Sequence, residues 1–296
     1  MITGCDTGFG HQSALHLNSN GMHVFACCLF PDRNEAKNLI INAVHPEKMH
    51  VIPMDVSRED SVMNAHEIVS KKLSSLDDVV LHSVVNNAGI GFCGEVEWGS
   101  MDMIRRVFDV NMFGQVLVSR TFMHFIRKNK GRIVNVNSVT SRITLPMAVP
   151  YCMSKHACLA FTEGLRREMN KFGVKVISIE PYFFGTQLTR TDYANNEFIK
   201  TFNASSEQVR EAYGEGYLKK VLQLEWTYKY LAHQSLDPVV NAINHAITAS
   251  HPRYHYVVAN FTSKLSIYLV WYLFPQETIE MVIQMGLVLS DTFRLN

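Results

Sequence analysis

The sequence predicts a doubly wound α/β fold, a parallel sheet between two helix layers, continued by a helical lid and a C-terminal extension. Three observations carry this. Short β-rich runs are apolar without alternation, as strands covered on both faces are. Segments with helical spacing separate those runs through the first two thirds of the chain. A glycine cluster, Gly4, Gly8 and Gly10, stands between the first apolar residues and the first helical pattern.

The elements follow in order. Met1-Ile2 reads as the end of a first strand, and "HQSALHLNSNG" from His11 as a helix closed by Gly21. "HVFACCLF" (23–30), "HVIPMDV" (50–56), "LHSVVNNAG" (81–89), "GRIVNVNSV" (131–139) and "VKVISIEP" (174–181) read as buried strands. Helical spacing runs over 60–76 and 103–128 between them. Residues 187–236 are polar, helical and scattered with aromatics, too long for a plain connection, and read as a lid over a site. Beyond Asp237-Pro238 the extension (237–296) opens with a helix, "VVNAINHAIT", followed by "RYHYVVA" (253–259) as a last strand. One domain spanning 1–296 fits this pattern, and no internal repeat is visible.

Bulk properties exclude several functions. The chain has 296 residues, 47% of them hydrophobic, enough for a large core. With 28 basic and 27 acidic residues the net charge is +1, so no field for nucleic acid is expected. The basic run "IRKNKGR" (126–132) reads as a solvated helix end. Six cysteines, Cys5, Cys27, Cys28, Cys93, Cys152 and Cys158, form no C-x-x-C pair and read as reduced core residues of a non-oxidising compartment. The sequons at Asn203 and Asn260 are then chance matches. The histidines lack ligand spacing, so no metal site is expected. The longest apolar run, "LSIYLVWYLF" (265–274), is shorter than the ~18–20 residues of a spanning helix, and reads as a buried tail or a membrane-touching surface.

The glycine cluster has the form G-x-x-x-G-x-G and lacks the Lys-Ser/Thr ending of a triphosphate loop. In a strand–loop–helix context it presents backbone N–H groups at a helix N-terminus, a cradle for a pyrophosphate. Further signals follow: Asp55 at a strand end, where a carboxylate can accept an adenine amino group; "NNAG" (86–89); Asn111; Ser138; then "YCMSK", with Tyr151 and Lys155 on one helix face.

TGxxxGxG, NNAG, the downstream Asn and Ser, and YxxxK together resemble the classical short-chain dehydrogenase/reductase family over about residues 1–190. The flanking text, "TGCDTGFG", "GRIVNVNS", "PYCMSKHA", "LRREMNKFGVKV" and "YGEGY", resembles the branch of retinol dehydrogenases, 17β- and 3α-hydroxysteroid dehydrogenases and D-3-hydroxybutyrate dehydrogenase. The resemblance implies a Rossmann-type sheet and an NAD(P)-dependent alcohol dehydrogenase with Asn111, Ser138, Tyr151 and Lys155 as its catalytic set. It places the dinucleotide on Thr3, Gly4, Asp6, Gly8, Phe9, Gly10, Asp55, Asn87, Ala88, Gly89, Tyr151, Lys155, Pro181 and Thr186. It also implies that Asn111 holds a water relaying protons from Lys155, and that more chain precedes the glycine loop in relatives, in some as a membrane anchor. A free phenol, with pKa about 10, is a poor base at neutral pH, so an ammonium one turn away is what favours its anion.

Two departures stand out. Where the family has Pro-Gly after this strand, the chain has Pro181-Tyr182, placing a ring where glycine lets backbone approach the nicotinamide. At the end of the second strand, where NAD enzymes carry an acid, it has Cys28-Leu29, with Asp32 and Arg33 just beyond. Asp32 suits NAD and Arg33 a 2′-phosphate; the branch is mostly NAD-linked, so NAD is expected with NADP open. The aromatic lid suggests a lipophilic small-molecule alcohol or carbonyl, a steroid or retinoid. "GEVEW" (94–98) and Pro150 also resemble the hydroxybutyrate enzyme, whose small carboxylate needs a clamp such as Arg142, Gln187 or Arg190. Family members pair through helices corresponding to 102–128 and 151–172, so a homo-oligomer is expected, at an endoplasmic reticulum membrane or in mitochondria. The remaining alternative is a dinucleotide-binding protein without turnover.

Overall fold

A computed structural model of the chain describes residues 1–186, 191–223 and 233–260, with 263–265, 277, 278, 280 and 281 beyond them. Seven strands form one sheet in the order β3-β2-β1-β4-β5-β6-β7, and every neighbouring pair is parallel. They are β1 (Ile2–Thr3), β2 (Val24–Cys28), β3 (Met49–Pro53), β4 (Ser83–Asn86), β5 (Arg132–Val136), β6 (Lys175–Pro181) and β7 (His255–Val258). β2 and β5 are buried along their whole length, which is why the runs read as continuous apolar text. The order reverses between β1 and β4, so the loops after these two strands face one another at a switch point where ligands bind.

Nine helices flank the sheet among the described residues. Following β1, β2 and β3 come α1 (Gly8–Ser19), α2 (Asn34–Ile41) and α3 (Glu59–Ser74). The single helix expected after β4 is α4 (Met101–Phe108) and α5 (Gly114–Lys128), joined by a π-helical turn over Asp109–Phe113. α6 (Val149–Met169) lies between β5 and β6, and α9 (Asp237–Thr248) leads into β7. One core cluster packs α1 and α9 on one side of the sheet, and another packs α3 and α5 on the opposite side.

α7 (Thr191–Asn203) and α8 (Glu207–Gln223) occupy the expected lid segment. Trp98, Met147, Phe198, Phe202, Tyr217 and Leu218 form a core there, with Trp98 edge-on to Phe202 at 5.0 Å. These lid aromatics are therefore packed against each other and against the 92–98 loop. The aromatic stretch 225–231 lies outside the described residues, as does most of 265–274. Among the described residues, no helix is long and apolar enough to cross a membrane. The six cysteines are free thiols, five of them buried.

Candidate active site

The loop between β1 and α1 turns on Gly4 and Gly8, with φ of 67° and 64°, a left-handed region that favours glycine. Space also excludes a side chain there. A Cβ on Gly4 would stand 2.8 Å from Ala88 Cα, and one on Gly10 would run into the Gly4 carbonyl oxygen and the Asn87 amide. The glycine loop and the NNAG turn are thus in backbone contact, braced by Thr3. Its Oγ1 accepts the Asn87 and Ala88 N–H groups, both at 3.0 Å, while Asn87 Nδ2 donates back to Thr3 O at 2.9 Å and Gly4 O at 3.1 Å.

These loops border a cleft of about 730 Å³, also lined by Asp6, Phe9, Phe30, Arg33, Asp55, Gly89, Thr186 and Tyr193. The first of these carboxylates is committed to the fold: Asp6 accepts Leu29 N at 2.9 Å and Phe30 N at 2.8 Å, tying the glycine loop to the end of β2. Asp55 takes Ser57 N and Oγ through one oxygen. Thr186 faces the loop, 3.9 Å from where a Gly8 Cβ would be. Tyr193 brings α7 into the wall, and its burial pushes the phenol pKa up. The glycine cradle, its helix N-terminus and the cleft fit a dinucleotide: N–H groups for its phosphates and width for its bases.

Some expected cofactor contacts are not on this wall. Thr3, Gly10, Tyr151, Lys155 and Pro181 are absent from it; Thr3 acts as the brace just described, and Gly10 by close approach. Pro181 ends β6 opposite Val258. At the β2 end Asp32 does not line the cleft, whereas Arg33 does, its guanidinium 3.8 Å above the Phe30 ring.

Two residues of the expected catalytic set, Asn111 and Lys155, stand beside the cleft and border it at Gly89. A Cβ on Gly89 would be 3.3 Å from Asn111 Oδ1 and 3.8 Å from Lys155 Nζ. Lys155 is 6% exposed, donates to Val136 O at 3.1 Å, and lies 5.8 Å from the Tyr151 ring centre. Ser138 follows β5 and opens a tight turn: its Oγ accepts Thr140 N at 3.2 Å, and its N–H donates to Ser141 Oγ at 3.3 Å. With a lone pair so engaged, the Ser138 proton is available for donation.

Asn111 sits in the π turn, a distortion frequent at functional sites. Its amide bonds both ways to Ile90, accepting from N at 2.8 Å and donating to O at 3.0 Å, and also donates to Ser154 Oγ at 3.0 Å. Ser154 Oγ in turn donates to Tyr151 O at 2.7 Å, so Asn111 is fastened to the first turn of α6. Cys158 Sγ donates to the Asn111 carbonyl at 3.1 Å. Sequence reading missed Ser154 and Cys158, which face Asn111 only because α6 packs across the π turn.

It also missed a buried amide seam under the strand ends. Asn86 Nδ2 donates to Asn135 Oδ1 at 2.8 Å, Asn135 Nδ2 to Thr162 Oγ1 at 2.9 Å, and Asn137 Nδ2 to Ser178 Oγ at 2.9 Å. Such a network fixes β4, β5, β6 and α6 in one register. Tyr182 does not line the cleft. Its N–H extends the sheet to Val258 O at 2.9 Å and its side chain packs against the Val139–Val257 cluster, without a positive φ that would call for glycine. Arg142 is held by Glu180, while Gln187 and Arg190, the other clamp candidates, lie outside the described residues. Among the described residues no group of acids, histidines and cysteines could hold a metal.

Residues 1–197 match the family model described as short chain dehydrogenase. The chain is 36% identical over 260 residues to D-beta-hydroxybutyrate dehydrogenase, mitochondrial, of Rattus norvegicus, covering 86% of this chain and 75% of that one. It is 35% identical over 257 residues to Retinol dehydrogenase 16 of Rattus norvegicus, covering 86% and 78%. Among solved structures, a short chain dehydrogenase/reductase from Burkholderia phymatum in complex with NAD superposes with a TM-score of 0.73 at 21% identity, covering 95% of this chain and 93% of that one. At that identity the likeness speaks for the fold.

Proposed function

The chain belongs to the short chain dehydrogenase family and is an NAD(P)-dependent oxidoreductase of alcohols, and from that premise we propose that it interconverts a lipophilic alcohol, of retinoid or steroid class, with its carbonyl. The reading is supported by Asn111 and Lys155 meeting Gly89 at the edge of a cleft that fits a dinucleotide, with Tyr151 one helical turn from Lys155 and Ser138 opening the turn after β5. When bound, the nicotinamide supplies the hydride acceptor. Tyr151 takes the hydroxyl proton as general base, and the Lys155 ammonium stabilises the phenolate while holding the nicotinamide ribose. Ser138 donates to the substrate oxygen and steadies its developing charge. Asn111 holds the geometry of α6, and by the family resemblance it would hold a relay water to Lys155.

The lipophilic substrate is favoured by the commitment of Arg142 to Glu180, which withdraws one cation that a small carboxylate would need. The retinol dehydrogenase relative points the same way. A second reading, D-3-hydroxybutyrate, rests on the 36% identical relative of that name. Assay of a retinoid, a steroid and D-3-hydroxybutyrate with NAD and with NADP separates them: saturable turnover of hydroxybutyrate alone ends the lipophilic reading. Cofactor binding without oxidation of any alcohol points instead to a binding protein.

We also take the chain to be a homo-oligomer paired through α4–α5 and α6, where Met101, Phe113 and Met153 are exposed. Light scattering showing only monomer across working concentrations would refute this. Membrane-surface contact through 265–274 is the remaining part of the reading, tested by flotation with vesicles, where a protein that never rises with the lipid contradicts it.

A further inference from the structure

A fully buried carboxylate outside the expected catalytic set lies under the Ser138 turn. Glu180, on β6, is 0% exposed. Arg142 grips it with Nε on Oε2 at 2.9 Å and Nη2 on Oε1 at 3.3 Å. His255 Nδ1 lies 2.8 Å from Oε1, and Arg166 Nη1 lies 3.1 Å from His255 Nε2. An ionised carboxylate can only accept, so Nδ1 carries the proton, donated to Glu180; Arg142 Nη2, 3.1 Å from the same nitrogen, then donates to Glu180, and Nε2 accepts from Arg166. Burial alone would raise the Glu180 pKa, but hydrogen bonds from His255 and Arg142 outweigh it and hold the group below the ordinary carboxylate value.

The chain Arg142–Glu180–His255–Arg166 joins four parts of the fold. Arg142 closes the turn that Ser138 opens: Ser141 N bonds Ser138 O at 3.0 Å and Arg142 N bonds Val139 O at 3.1 Å. Arg166 is on α6, the helix of Tyr151 and Lys155, and anchors to β6 by donating Nε to Val176 O at 2.8 Å. His255 belongs to β7, beside β6. A path of charged groups therefore runs from the turn of the hydroxyl donor to the helix of the base through one carboxylate.

We propose that Glu180 is a positioning residue for the reaction, locking the Ser138 turn to the helix that carries Tyr151 and Lys155. This rests on the reading of Ser138 as the donor to substrate oxygen. It sets Arg142 as a structural cation that does not meet substrate, and it assigns to β7 and Arg166 a part in the active site's geometry.

The test uses the full chain with Glu180→Gln, which keeps shape and loses charge, Glu180→Asp, which keeps charge, and Arg142→Lys, which keeps charge and loses the fork. For each, kcat, KM, dinucleotide Kd and hydrogen exchange of the peptide spanning the Ser138 turn are measured. Glu180→Gln is expected to lower kcat by ~10–100-fold, as a displacement of about an ångström at a reacting group does. Dinucleotide Kd stays within ~2-fold, because the glycine cradle is elsewhere. Exchange in the turn quickens by ~10-fold or more. Arg142→Lys should reproduce the kcat loss in milder form and decides the matter should Glu180→Gln fail to fold. Unchanged kcat in a folded Glu180→Gln or Arg142→Lys protein overturns the proposal. So does a parallel loss of kcat and dinucleotide binding, the mark of general unfolding. Wild-type protein that oxidises no alcohol would end the functional reading by itself, while unaltered exchange in the turn would independently end this one.

Discussion

Gly10→Ala tests the contact between the glycine loop and the NNAG turn. A methyl at this position meets the Gly4 carbonyl oxygen and stands 2.5 Å from Asn87 Nδ2. Neither contact is tolerable, so either α1 retreats or Asn87 rotates away. Rotation forfeits the Asn87 bonds to Thr3 O and Gly4 O, about 1 kcal/mol each. Retreat is an overpacking problem of about 1–3 kcal/mol. Either route gives a loss of roughly 1–3 kcal/mol, or roughly 2–12 °C in Tm for a domain of this size. Displaced loop N–H groups lose charge-assisted bonds to phosphate, so dinucleotide Kd should rise by roughly 10–100-fold. Thermal melts and titration calorimetry with NAD read both effects. Gly216→Ala is the control, since nothing lies within 4 Å of its added methyl on α8; it should be neutral or stabilising by up to about 1 kcal/mol. A Gly10→Ala protein that melts and binds like wild type would refute this geometry.

Lys155→Ala should cost activity and cofactor affinity together, because one ammonium serves both; loss of turnover with unchanged Kd would separate the roles. Arg33→Ala should weaken NADP by ~10-fold or more while leaving NAD within ~2-fold, as removal of one charged hydrogen bond does; equal losses for both would exclude Arg33 from a 2′-phosphate. His50 is kept neutral by burial, with Lys72 and His23 adding to it, its pKa lowered to about 4 from 6.5. The unfolded state then binds a proton that the folded state refuses, so stability should fall as pH drops from 6.5 toward 4. The full shift would be worth about 3.4 kcal/mol, reduced to about 1–2 kcal/mol by partial solvent screening. Denaturant melts across that range should show the decline flattened in His50→Gln; an identical slope in both proteins would contradict the assignment.

The strands were legible because burial on both faces leaves no polar alternation: every residue of Val24–Cys28 is buried, as its unbroken apolar text implied. The helical placing of Tyr151 and Lys155 was legible because a spacing of four puts both on one helix face. The π turn was not. It exists because Asn111 is fastened to Ile90 and Ser154, partners that sequence distance conceals. The Glu180 chain was likewise invisible, since Arg142 and His255 are 113 residues apart and meet only when β7 joins β6. Tyr182 was judged against glycine's role in a loop, whereas the structure continues the β6–β7 pairing through its N–H and packs the side chain on Val139 and Val257. The scattered lid aromatics suggested a greasy site; of those described, Phe198, Phe202, Tyr213 and Tyr217 pack around Trp98, while Tyr193 lines the cleft.

The central claim, that a phenol on α6 is the base for alcohol oxidation, is tested most directly by turnover of Tyr151→Phe on the best alcohol found for the wild type, followed through formation of the reduced dinucleotide. Loss of a general base costs about 10²–10⁴-fold, and the account predicts at least that loss with dinucleotide Kd nearly unchanged. A Tyr151→Phe protein that oxidises the same alcohol at near wild-type rate would contradict it.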